Sequence, residues 1–195
     1  MWLKVKVKRI IAYFIDFMII SFVSTIIFQI VFKNSYEEYN EKTEAYMQEI
    51  VRLGSSDPTE EFIINSMYDI NKAGITLSII EFGLTILYFG IISYITKGQT
   101  LGKKILKLRV VPIKGKNLNP GLYFLREVIL TNSIFNFLGI INISLCSASR
   151  WYVFNNVITN TKTFITIILL GFLIFREDER SLHDIICQTK VIEEK

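Results

Sequence analysis

The sequence is nearly empty of the residues that build disulfide frameworks and metal clusters: it has two cysteines and one histidine. Cys146 and Cys187 fall in segments assigned below to opposite sides of a membrane, so no disulfide is expected, and a lone histidine supports no ligand set. His183 also stands outside any HExxH or Ser–His–Asp pattern, and it reads as a hydrogen-bonding strut. A phosphate-binding loop is missing as well. In "KGQTLGKK" the glycines Gly98 and Gly102 are one residue too close, and Lys104 sits where a magnesium-binding hydroxyl is needed. No nucleophile–base pair or paired catalytic carboxylates stand out. The chain therefore reads as non-enzymatic, with no cofactor and no metal. Alanine occurs only four times; with abundant Ile, Lys and Asn this hints at an AT-rich bacterial genome.

What the sequence has in excess is apolar surface. Of its 195 residues 51% are hydrophobic, 15 are Phe, and the mean hydropathy is +0.39. A soluble domain of this length is rarely so apolar. The apolar residues fall in blocks, and a bilayer core of about 30 Å needs about 20 of them in a helix. Residues 10–32 and 75–95 meet this directly. Residues 123–145 are diluted by Asn132, Asn136 and Asn142, and residues 157–175 begin polar and end in "FITIILLGFLIF". The expectation is an all-α membrane protein with a four-helix transmembrane bundle. The first block is too long for a cleaved signal peptide and lacks a small-x-small site after it, so it reads as a retained helix.

Charge sets the expected orientation. Lys4, Lys6, Lys8 and Arg9 precede the first block, and eight Lys or Arg lie between Lys97 and Arg126. Residues 33–74 carry nine Asp or Glu against Lys33, Lys42, Arg52 and Lys72. Positive residues stay cytoplasmic, which predicts a multi-pass protein of the bacterial plasma membrane with both termini inside. The basic 96–122 loop and the 176–195 tail are then cytoplasmic and the acidic 33–74 insert is outside. This asymmetry accounts for the net charge of +4 and leaves no argument for nucleic acid; the lipid bilayer is the expected partner.

The insert reads as two short helices. The first has an apolar stripe of Tyr46, Met47, Ile50, Val51 and Leu53 and stops at Gly54. The second is expected to be capped by Asp57 with Pro58 in its first turn. "ILKLRVVPI" and "IICQTKVI" are candidate short strands that would pair beneath the membrane. The glycines Gly83, Gly90, Gly139 and Gly171 read as points of close helix packing.

Four further polar residues carry the functional question. Asp16 lies six residues past Ile10, about 9 Å into the bilayer at 1.5 Å per residue. A charged Asp at depth costs about 2.5–3.5 kcal/mol on insertion scales. It must point into the bundle, find a partner, or be protonated. Glu81 poses the same question from the opposite half of the second helix, too far to touch Asp16. Arg126 and Arg180 read as interfacial anchors that could support the site, and Arg126 could reach the level of Asp16.

Three stretches, "RIIAYFIDFMI", "KGQTLGKKILKLRVV" and "ERSLHDIICQTKVI", together resemble the RDD family of bacterial membrane proteins. The family takes its name from an arginine and two aspartates, which fall here on Arg9, Asp16 and Asp184. The resemblance implies a membrane-embedded protein, with transport, including sodium/proton exchange, suggested for some members. The long acidic insert departs from the simplest family pattern and suggests a specialised role.

Two functions remain in view. One is cation- or proton-linked transport, with Asp16 and Glu81 as candidate intramembrane sites and a homodimer expected because four helices are few for alternating access. The other is a non-catalytic membrane module, such as a scaffold, an assembly factor or a toxin-immunity protein, that binds a protein partner through the insert.

Overall fold

The computed structural model describes residues 2–54, 58–113 and 119–194, with side chains from Val5 onward. Helix α1 (Trp2–Val31) is followed by the insert helices α2 (Lys33–Leu53) and α3 (Glu60–Ala73). The chain returns through α4 (Ile75–Thr85), a π-helical segment (Ile86–Ile92) and the short α5 (Ser93–Ile95). Next come α6 (Leu101–Ile105) and β1 (Leu108–Pro112), then α7 (Pro120–Thr131), α8 (Ser133–Leu145) and α9 (Ala148–Phe175). The tail forms α10 (Leu182–Ile186) and β2 (Thr189–Glu193).

Three stretches, Val5–Val31, Ile75–Ile95 and Ala148–Phe175, are long and apolar enough to cross a membrane, and α7 with α8 makes a fourth if the bent pair counts as one span. Two corrections to the sequence reading follow. The third block is not one helix over 123–145: it starts at Pro120 and bends by 64° between α7 and α8. The fourth helix starts at Ala148, well before 157.

Both corrections have one physical cause, in that polar side chains of the two helices satisfy each other. Asn132 Nδ2 donates to Thr166 Oγ1 at 2.9 Å, and Lys162 Nζ donates to Asn136 Oδ1 at 2.7 Å. Asn142 Nδ2 donates to the Trp151 carbonyl at 3.1 Å. The asparagines that dilute the third block thus face α9, where Thr166, Lys162 and the Trp151 carbonyl serve as their partners. Asn132 also makes the bend itself, with φ at 53°. Asn and Gly tolerate this left-handed conformation best.

The insert forms two helices packed on each other, with the first ending at Gly54 as expected. The second is capped by Thr59, whose Oγ1 accepts from Phe62 N at 3.3 Å; Asp57 lies outside the described residues. α3 packs on α8 and α9, and Tyr68 donates to the Cys146 carbonyl at 3.0 Å. α2 has no buried residue and leaves Met47 and Val51 exposed. The glycine expectation holds only at Gly90, where an added Cβ would lie 2.9 Å from the Phe124 ring. At Gly83, Gly139 and Gly171 a Cβ would meet nothing within 4 Å.

At the opposite end β1 and β2 pair antiparallel, with Leu108 opposite Glu193 and Pro112 opposite Thr189. The N-terminal segment joins them there. Lys6 Nζ donates to the carbonyls of Ile174 and Arg176 at 2.7 and 2.9 Å, and Lys8 pairs with Glu193 at 2.5 Å. Cys146 and Cys187 are both free, the first beside the insert and the second buried near β2.

Because the bend rests on a left-handed residue, Asn132→Val should cost about 1–2 kcal/mol more than Asn132→Gly. Both lose the bond to Thr166, so the difference isolates backbone strain. Thermal unfolding of the purified protein in detergent measures it; equal midpoints would refute the assignment.

Candidate functional site

The charged residues singled out in the sequence collect at the end of the bundle that holds the sheet, in two fastenings. The first is centred on Asp16, which is fully buried on α1. Its Oδ1 accepts from Tyr88 Oη at 2.6 Å and from Gly102 N at 2.7 Å, and its Oδ2 accepts from Thr100 Oγ1 at 2.5 Å. Three neutral donors from the π segment and the start of α6 thus engage both oxygens of one carboxylate.

The local sequence explains why the donors are there. Gly98 turns the chain with φ at 88°, against the Val110 carbonyl. Thr100 caps α6, its Oγ1 accepting from Lys103 N at 3.3 Å. Gly102 permits the contact itself: a Cβ there would lie 2.2 Å from the Ala12 carbonyl oxygen and 3.0 Å from Asp16 Cγ. These glycines, which fail as a phosphate loop, are the seat of a helix-to-helix contact.

The second fastening is centred on Asp184, also fully buried. Arg9 Nη2 donates to its Oδ2 and Arg9 Nη1 donates to the Glu179 carbonyl. Arg126 Nε donates to Oδ1 at 3.0 Å, with Nη2 at 2.9 Å, and Arg126 Nη1 donates to Glu127. Ser181 N and Thr189 Oγ1 complete the shell at 3.1 and 3.3 Å, the former within a capping box that starts α10. Burial would raise the Asp184 carboxyl, but the Arg126 and Arg9 guanidiniums overcome it and hold it well below the usual carboxylate range.

The motif residues divide between the two fastenings: Arg9 reaches Asp184 and not Asp16. Arg126 is fully buried rather than an interfacial anchor, and it serves Asp184. Arg180 pairs with Asp178 at 2.6 Å near the surface. Glu81 is half-buried and accepts from Ser24 Oγ at 3.4 Å, away from Asp16. His183 is no hydrogen-bonding strut: it is buried, and neither ring nitrogen has a hydrogen-bond partner among the described residues. Burial pushes its pKa down to about 3.

Sequence reasoning missed Tyr88, Thr100, Gly102, Lys103 and Glu127. Lys103 reads in the sequence as one of the basic charges of the 96–122 loop, yet it is buried, with its Nζ 3.6 Å from Glu127 Oε1. Burial lowers its pKa, opposed by the charge of Glu127. The available signal was the second motif stretch, which contains Thr100, Gly102 and Lys103.

Beside both fastenings lies a cavity of about 350 Å³. Its lining includes Arg9, Asp16, Lys103, Arg126 and His183 together with Asn132, Asn136, Lys162 and Thr166. Aromatic and aliphatic side chains of α1, α9 and the π segment make up much of the rest.

The fold and site define a helical membrane protein with buried Arg–Asp fastenings. The RDD family model matches residues 6–188, so the chain belongs to the RDD family. It is also 27% identical over 184 residues, 94% of this chain and 93% of the relative, to a Bacillus subtilis (strain 168) protein whose printed name is uncharacterized protein YxaI. No solved structure matches.

Two outcomes test this geometry. Gly102→Ala should destabilise the protein by about 1–3 kcal/mol or more, since backbone must move to admit the methyl group; an unchanged melting midpoint in detergent would contradict the contact. The second concerns His183, whose folded pKa is depressed below its ordinary 6.5. The unfolded chain takes up the proton first, so stability falls as pH drops from about 6.5 toward 3. Between pH 7 and 5.5 the wild-type midpoint should decline, and His183→Gln should flatten that decline.

Proposed function

We propose that the protein is a non-catalytic membrane module that works by binding, with its motif charges acting as an internal clasp and not as an ion path. The observation that carries this reading is that donors of the protein itself engage both oxygens of both aspartates. A cation at Asp16 would compete with Tyr88 and Gly102 on Oδ1 and with Thr100 on Oδ2. Asp184 is likewise filled by two guanidiniums and two neutral donors. Formal charge also balances: Arg9, Lys103 and Arg126 stand with Asp16, Glu127 and Asp184, leaving no excess negative charge to attract a cation. The concentration of Lys and Arg near the clasp supports a cytoplasmic location for that end and for both termini, with the acidic insert outside.

Cation- or proton-linked transport is the second reading, and it has one observation in its favour. Asn132, at the break between α7 and α8, and Phe89, in the π segment, both line the cavity. Interrupted helices at membrane depth often serve binding sites.

Reconstitution of wild type and Asp16→Asn separates the two. The clasp predicts no sodium, potassium or proton flux above empty vesicles. It also predicts that Asp16→Asn costs on the order of 1–3 kcal/mol, because an amide offers fewer acceptor sites for the same buried donors. Wild-type flux that Asp16→Asn abolishes at unchanged stability would establish the ion path instead.

A further inference from the structure

Two side chains in the cavity wall have hydrogen-bonding capacity that the protein leaves unused. Lys103 is 7% exposed and its Nζ makes no hydrogen bond among the described residues, although Glu127 Oε1 stands 3.6 Å away. His183 is 3% exposed and neither of its ring nitrogens has a hydrogen-bond partner among the described residues. Its Nε2 lies 3.5 Å from Asp184 Oδ1, an oxygen already occupied by Arg126. Buried polar groups in native structures are nearly always satisfied. A pair left open on one cavity wall points to an atom that a ligand supplies.

The chemistry of that atom follows from its neighbours. Lys103 offers donors and no acceptor, and neutral His183 offers one N–H and one bare nitrogen. Arg9 and Arg126, in the same wall, are engaged with Asp184 and Glu127. Lys103 therefore sets the requirement for an acceptor, which the N–H of His183 can also serve, and beside an ammonium the stronger acceptor is an anion. Beyond it the wall turns apolar, with Phe17, Ile20, Phe89, Leu169 and Leu173. A cavity of about 350 Å³ is at the small end of the range for small-molecule sites, about 300–1,000 Å³.

We propose that this cavity binds a small anionic amphiphile, with a carboxylate or phosphate head on Lys103 and His183 and a single apolar body among Ile20, Phe89, Leu169 and Leu173. The proposal rests on the reading of the protein as a binding module and names the ligand class. Its test reads binding directly, so it stands or falls apart from ion flux. Binding by a protein that also carries ions would leave this site in place and remove the clasp reading. A protein with neither flux nor binding would do the opposite.

The full chain is placed in nanodiscs of phosphatidylcholine and titrated calorimetrically with decanoate, decyl phosphate and decanol. The two anions should bind once per chain, and decanol at least tenfold more weakly. Lys103→Met should weaken decanoate at least tenfold and decanol little. Leu169→Phe, which narrows the apolar arm without touching a charge, should weaken all three. Equal binding of decanol and decanoate, or unchanged decanoate binding in Leu169→Phe, would overturn the proposal even if Lys103→Met fails to fold. Repeating the titration in discs containing phosphatidylglycerol identifies the source of the head group. Competition assigns it to a membrane lipid; its absence assigns it to a soluble amphiphile.

Discussion

A guanidinium sealed inside a protein must be matched, and the match between Arg126 and Asp184 organises this molecule. Arg126 is 1% exposed and Asp184 is 0% exposed. An unmatched ion of either kind costs several kcal/mol in such a place. The two residues are 58 positions apart and Arg9 is 175 from Asp184, so the match can form only if the tail returns beneath the bundle. Everything at that end serves the return. Ser181 starts α10 and donates to the Leu169 carbonyl at 2.8 Å, and β2 pairs with β1 to hold the tail in place.

The blocks of apolar residues were legible because hydropathy alone places them, and so were the strands, since β-branched runs stood between turn residues. The bend at Asn132 was not legible. A single Asn in an apolar run reads as dilution, and its left-handed backbone depends on a partner, Thr166, that lies 34 positions away. The early start of α9 was hidden for the same reason. "NNVITNTKT" reads as too polar for lipid, and the partner of its Lys162, Asn136, lies on another helix. Polar complementarity between helices leaves no periodic signal in either one.

The site was half legible. The motif residues were found, but their grouping was not. Arg9 and Asp16 share a helix face yet stand two turns apart, about 10 Å along the axis, and one guanidinium does not serve carboxylates at both levels. Arg9 therefore turns to the tail, and Asp16 is left to the hydroxyls and backbone of the α6 turn. Gly102 could have been flagged only by asking which backbone passes closest to α1, a question of packing and not of spacing.

A clasp of charges contributes little net stability over an apolar core of the same shape, so its value lies elsewhere. Between membrane helices the apolar contacts available in the bundle are also available in lipid, and burial alone selects no arrangement. Directional contacts then carry the selection. Asp16 admits one position of the α6 turn, and Asp184 admits one path of the tail. Asn132 and Asn136 admit one register of α8 on α9. These contacts hold the helices apart as well as together, because Asp16, Arg9 and Arg126 reach their partners at the bundle's end while Ile20, Phe89 and Leu169 are left facing the space between. The cavity is thus a consequence of where the polar fastenings sit, and its open donors, Lys103 and His183, are at its charged end because the clasp is there.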